Sequence, residues 1–61
     1  MKLWIARDRN GDVYIHREKP TRHINGIYDS DDWWILERCD FPEVTFENSP
    51  MEVELKLKKQ I

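Results

Sequence analysis

The eight residues Met51-Glu52-Val53-Glu54-Leu55-Lys56-Leu57-Lys58 alternate apolar and charged side chains without a break. Successive side chains of a strand point to opposite faces. This spacing therefore predicts a half-buried strand, with Met51, Val53, Leu55 and Leu57 toward a core and Glu52, Glu54, Lys56 and Lys58 toward water. A helix would scatter the same residues around its circumference. A strand that buries one face needs a surface to bury it against, and in a chain of 61 residues the rest of one small domain, residues 1–61, must supply it. About 60% of the unfolded surface is buried at such a size. The three Trp, two Tyr and two Phe then matter a great deal, since each aromatic takes roughly 150 to 250 Å² out of water.

Two further β-like runs, Lys2 to Arg7 and Asp12 to Glu18, flank Asp8-Arg9-Asn10-Gly11, and Asn-Gly between alternating segments is a strong hairpin signal. Face matching selects the register. A two-residue Asn10-Gly11 loop would pair Ala6 with Ile15 and mix the two faces. A three-residue loop of Arg9, Asn10 and Gly11, with Gly11 in the left-handed region as a bulge, pairs Arg7 with Val13, Ile5 with Ile15 and Leu3 with Arg17. One face then carries Leu3, Ile5, Val13 and Ile15. The other carries Trp4, Ala6, Tyr14 and His16, with Lys2 opposite Glu18.

Lys19-Pro20 ends the second strand, because proline cannot donate to a ladder. Thr21 to Asp32 reads as a long polar connection with a short strand near Ile27 and Tyr28. Asp32-Trp33-Trp34-Ile35-Leu36-Glu37 is short, bulky and β-branched, which predicts a strand buried on both faces with one Trp to each side. A helix capped by Ser30 is the competing reading of residues 30–38. From Cys39 to Pro50 two prolines exclude a long helix; Phe41, Val44 and Phe46 are expected to plug the core, and Asn48-Ser49-Pro50 to turn the chain into the final strand.

The stretch Phe41-Pro42-Glu43-Val44-Thr45-Phe46-Glu47-Asn48-Ser49-Pro50-Met51-Glu52-Val53-Glu54-Leu55 resembles the C-terminal half of short uncharacterised proteins of bacterial genomes and mobile elements of phage type. Their first half is similar too, with a Lys-Leu-Trp-Ile start, a turn, and a strand ending in Lys-Pro as at Lys19-Pro20. The resemblance implies an independent domain carried by a phage or conjugative element. It transfers no activity and no functional residue.

Ten basic and twelve acidic residues give a formal charge of −2, whereas a phosphate-binding surface shows as a clustered basic excess. Nucleic acid is thus not the expected partner. The single Cys39 cannot close an intramolecular disulfide, no apolar run approaches membrane-spanning length, and Arg7 and Asp8 interrupt the start too early for a signal peptide. These features predict a cytoplasmic protein with no membrane association.

His16, His23 and Cys39 are zinc ligands by type but fall in no paired spacing, so no metal is expected; they read as a strand residue, a solvated loop residue and a small apolar filler. A Cys–His nucleophile would need a positioned third group in a pocket, so no enzymatic activity is expected. Asp29-Ser30-Asp31-Asp32 lacks the Gly and distal Glu of a calcium loop, Gly11 and Gly26 each follow an Asn as turn residues, and no phosphate loop exists. No cofactor is expected.

Trp4, Tyr14 and His16 form the candidate partner-binding patch, because they share the hairpin face that lacks its aliphatics. Either another segment covers this face as a second small core, or it stays partly open and binds a protein or stacks bases. The expectation is a mostly β fold, a small antiparallel meander sheet of three to five strands with no substantial helix, acting as a non-enzymatic protein-binding module. Alternatives are a single-stranded nucleic-acid binder stacking bases on Trp4 and Tyr14, and a small structural or assembly subunit. The final strand, if at a sheet edge, carries a charge pattern that is complementary to its own antiparallel copy, which predicts a weak homodimer; the competing reading is that the same charges block edge-to-edge pairing.

Overall fold

A computed structural model describes residues 2–54, and six short strands make up its secondary structure: β1 (Lys2–Arg7), β2 (Val13–His16), β3 (Thr21–Arg22), β4 (Tyr28–Asp29), β5 (Trp33–Ile35) and β6 (Met51–Glu54). Four form an antiparallel sheet in the order β5-β2-β1-β6, and β3 pairs with β4 in a second, two-stranded sheet. No helix occurs among the described residues. The chain is mostly β and antiparallel, as the alternating patterns require.

The β1–β2 hairpin takes the face-matched register, with Ile5 opposite Ile15 and Arg7 opposite Val13. Asp8 N–H donates to the Asp12 carbonyl at 2.8 Å and Gly11 N–H to the Asp8 carbonyl at 3.0 Å, which leaves Arg9, Asn10 and Gly11 as the loop. Gly11 has φ 100°. The same construction recurs one hairpin later: His23 N–H donates to the Ile27 carbonyl at 2.8 Å, Gly26 N–H to the His23 carbonyl at 3.0 Å, and Gly26 has φ 85°. Both loops are built on Asn-Gly, and Arg9 N–H joins them by donating to the Gly26 carbonyl at 2.9 Å. Residues 21–29 are therefore a hairpin where a long connection with one short strand near Ile27 and Tyr28 was expected; that strand is β4, and its pairing with β3 is the part not expected.

The hairpin stops at Trp4 opposite His16. The expected pairs of Leu3 with Arg17 and Lys2 with Glu18 do not form, because the chain turns away after His16 and β6 takes the other edge of β1. Leu3 lies opposite Val53 and Lys2 opposite Glu54, and the Lys2 ammonium sits 3.6 Å from Glu52. Met51 and Val53 are half-buried against the core while Glu52 and Glu54 are exposed, as the alternation predicts. The remainder of that predicted strand, Leu55 to Lys58, lies outside the described residues. β6 is an edge strand, the placement on which the expected homodimer depends.

Ile5, Val13 and Val44 are the buried centre of the core, with Ile15, Leu36, Met51 and Val53 packed around them. Arg7 lies on this same face, opposite Val13, and holds the irregular segment 38–44 against it. Its Nε donates to the Val44 carbonyl at 2.7 Å, Nη1 to the carbonyls of Gly11 at 2.7 Å and Arg38 at 3.0 Å, and Nη2 to those of Asp40 at 2.9 Å and Phe41 at 3.2 Å. A guanidinium has five N–H groups in a planar fork, and here each finds a backbone oxygen. The turn at Asn48-Ser49-Pro50 then delivers the chain to β6 through a cis Ser49–Pro50 bond, and Ser49 Oγ accepts from Arg7 N–H at 2.9 Å.

Three expectations for the later half need correction. Phe41 is not a core plug; it is exposed, at a turn with φ 52°, where its carbonyl rather than its ring is used. Cys39 is exposed rather than an apolar filler. Residues 33–35 are a strand with one Trp on each face, Trp33 beside His16 and Trp34 beside Ile15, but the strand is exposed instead of buried, because it lies at the end of the sheet with a neighbour on one side only.

Candidate partner-binding edge and its adjoining cavity

Of the large apolar residues left in water, Trp33, Trp34 and Ile35 are consecutive and are 50%, 59% and 62% exposed. Their backbone is half paired. Arg17 N–H donates to the Asp32 carbonyl at 3.1 Å and Leu36 N–H to the Val13 carbonyl at 2.9 Å. Hydrogen-bonded and non-hydrogen-bonded pairs alternate in an antiparallel ladder, so Trp34 is the β5 residue whose peptide groups face β2. The N–H and C=O groups of Trp33 and Ile35 face outward, with no strand beside them among the described residues. The other end of the sheet differs: there the exposed side chains are Glu52 and Glu54. Charges of that kind deter pairing at an edge, whereas an apolar edge invites it.

The three residues of the expected patch all lie on the face shared with Trp33, but they are not equivalent. Trp4 is half-buried, with the Lys19 ammonium 5.5 Å from its ring centre. Tyr14 is half-buried and meets Trp33 edge-on, with ring centres 5.2 Å apart and planes at 88°. His16 is 1% exposed. The β3–β4 hairpin lies against this face, tied down by Tyr28 N–H donating to Asp8 Oδ1 at 2.9 Å and by a contact of 2.7 Å between His16 Nδ1 and Ser30 Oγ. Tyr28 anchors the hairpin from its other end, where its hydroxyl lies 3.0 Å from the Phe46 carbonyl and 2.9 Å from that of Ser49.

Between the sheet face and β4 a cavity of about 210 Å³ remains, lined by Asp8, Asp12, Tyr14, His16, Tyr28 and Trp33 among others. Its electrostatics follow from burial. Asp8 is 5% exposed, and loss of solvent raises its carboxyl above the ordinary aspartate range, with the Asp12 charge adding to this and the Tyr28 N–H and His16 opposing it. The same loss of solvent lowers His16, against the pull of the Asp8 and Asp29 charges, and raises the Tyr14 phenol, which Asp12 and Asp8 raise further. Around neutral pH the imidazole is therefore uncharged. With the Ser30 hydroxyl directed to the Asp32 carbonyl at 3.1 Å, Ser30 Oγ accepts from His16 and the imidazole proton sits on Nδ1, an assignment made from the hydrogen-bond network. Nε2 is then a bare acceptor, buried and without a hydrogen-bond partner.

His23 is exposed and Cys39 is exposed and distant in role from either feature; no group of three or more possible metal ligands occurs among the described residues. The sequence reading missed Asp8 and the β5 edge. The signal for Asp8 was its position immediately before an Asn-Gly loop, which it closes from both sides; Trp33 to Ile35 carried no signal that distinguishes an edge from a central strand. No protein family, curated protein or solved structure matches the chain.

Proposed function

We propose that this protein is a non-enzymatic protein-binding module that takes up an extended segment of its partner as an added strand along β5. The single observation that carries this reading is the coincidence, in three residues, of outward-facing peptide groups and exposed Trp33, Trp34 and Ile35. Main-chain hydrogen bonds to such an edge supply affinity, and side chains seated on either face supply specificity. Trp is among the residues that dominate interface energetics when buried. The earlier resemblance and the single cysteine fit a cytoplasmic accessory factor or inhibitor brought by a phage or mobile element and directed at a protein. Base stacking on Trp4 and Tyr14 has less in its favour, since Lys19 stands over one ring and Trp33 meets the other.

Selection from a library of displayed peptides tests the reading. The protein is immobilised, and a variant carrying both Trp34→Lys and Ile35→Lys serves as the counter-selection target. Enrichment of peptides that bind the parent and not the variant supports β5 as the docking edge. Peptides that bind both alike, or none at all, contradict it.

A further inference from the structure

We propose that the cavity beside Trp33 is a receptor for the guanidinium group of an arginine carried by the segment that docks on β5. The source of the group rests on the partner-binding reading above; the chemistry of the cavity stands on its own geometry.

The cavity presents a carboxylate without a cation and an imidazole nitrogen without a partner. Asp8 is buried, and the hydrogen bond it receives is from the Tyr28 peptide; no Lys or Arg pairs with it among the described residues. A carboxylate held away from water without a cation is costly until one arrives. Beside it, His16 Nε2 is a second buried acceptor with nothing to accept from. Ser30 holds the Nδ1 edge of the ring and does not line the cavity, whereas His16 does. Asp12 and Asp29 also line it, Asp12 already paired with Arg38 Nε at 2.9 Å and Asp29 with the His23 ring 3.7 Å away.

The remaining wall is aromatic. Tyr14, Tyr28 and Trp33 line the half-open space, and a cation over such rings is attracted by their quadrupoles. A ligand that satisfies all of this is positively charged, planar and rich in N–H donors. Guanidinium meets each requirement, since its fork serves a carboxylate and an imidazole nitrogen at once and its plane stacks on indole or phenol, whereas an ammonium is compact and strongly hydrated. Trp33 belongs to β5 itself and is half exposed, so a strand seated on that edge passes the cavity mouth. Nε2 lies out of the reach of water, so an entering N–H reaches it only when a wall of the cavity moves aside.

The test is titration of the full chain, labelled with ¹⁵N, with N-acetyl-arginine amide, reading the ring nitrogens of His16 and the indole of Trp33. Saturable movement of both resonances is expected. N-acetyl-citrulline amide, the neutral isostere, should bind about tenfold more weakly or worse, because it leaves Asp8 without a cation. Asp8→Asn retains an acceptor for Tyr28 N–H and should weaken the arginine probe by a similar factor. Should that variant fail to fold, Trp33→Ala, at a half-exposed site, is expected to weaken it about fivefold. The single change Trp34→Lys, on the sheet face opposite to Tyr14 and Trp33, should leave probe binding unchanged, which separates failure of the cavity from failure of the docking edge. No saturable shift, equal binding of citrulline, or tighter binding of free arginine than of the capped probe would each overturn the assignment, the last by giving the cavity to a free amino acid.

Discussion

Arg7 Nε donates to the carbonyl of Val44 at 2.7 Å, across 37 positions of the chain. Val44 is one of three residues at the centre of the core, and the segment that carries it has no ladder of its own. The guanidinium supplies what a strand would have supplied. Arg7→Lys keeps the charge but offers a single ammonium in place of a five-donor fork. The expected loss is about 2 kcal/mol, since several carbonyls lose a charge-assisted donor. Urea denaturation measures it, and a Lys variant within about 0.5 kcal/mol of the parent, the range of an ordinary surface change, would remove Arg7 from this role.

The two Asn-Gly loops are alike in hydrogen bonding and unlike in surroundings. A Cβ added at Gly11 meets the Arg38 side chain at 3.5 Å, an ordinary contact, whereas one added at Gly26 falls 2.8 Å from the Arg9 Cβ. Both positions carry positive φ. Gly11→Ala is therefore expected to cost about 1 kcal/mol from backbone conformation alone, and Gly26→Ala about 2 kcal/mol or more because the joined loops must also part. Thermal melts of the two variants rank them; the reverse order would mean that the contact between the hairpins contributes little. Gly11→Val should cost more than Gly11→Ala, a β-branched residue being a stronger outlier there.

Stability should fall as the solution is acidified through the range just below neutrality. His16 takes up its proton at lower pH in the folded protein than in the unfolded chain, where the ordinary value is 6.5. As the pH drops through that value the unfolded state binds the proton first, so folding loses free energy until the folded imidazole also titrates. The groups that face it, Asp8 and Asp29, moderate the effect without reversing it. Asp8 acts in a lower window and with the opposite sign: its raised carboxyl favours the folded state on the acid side and loses that contribution as pH rises through its folded value. Melts between about pH 7.5 and about pH 5.5 should show a falling midpoint for the parent and a flatter profile for His16→Gln. Parallel profiles would show that the imidazole is not held neutral by the fold.

What could be read from the sequence was whatever has a period or a turn signature. Asn10-Gly11 together with the aliphatic faces of its flanking runs fixed the hairpin register to the residue, and Met51 to Glu54 showed which side chains meet the core. Arg7 was not legible as a clamp because a charged residue in a strand reads as a solvent-facing one, and its carbonyl partners lie in a segment with no periodicity. Phe41 was misplaced for the same reason: apolar character says nothing about a turn in which the ring points away and the backbone is what matters. Trp33, Trp34 and Ile35 were expected inside because bulky runs usually are, and only the strand order puts them at an edge. His16 was recognised as part of the aromatic face, but its burial depends on Ser30 and Tyr28, which the second Asn-Gly hairpin brings to it.

Replacing Trp34 and Ile35 by Lys should leave the fold intact, with a change of about 1 kcal/mol or less, because both side chains are mostly exposed and lysine is tolerated at strand edges. A variant that unfolds would mean that β5 contributes to the core rather than to a docking edge.

The most direct measurement of the account is amide hydrogen exchange along β5, in the free protein and with a peptide selected for edge-dependent binding. In the free protein the Trp34 amide, which faces β2, should be protected, while those of Trp33 and Ile35 exchange rapidly. On adding the peptide, protection should appear at Trp33 and Ile35 in alternation, the signature of a new strand pairing on the outer side. Binding without protection at those two amides, or protection confined to another edge, would contradict it.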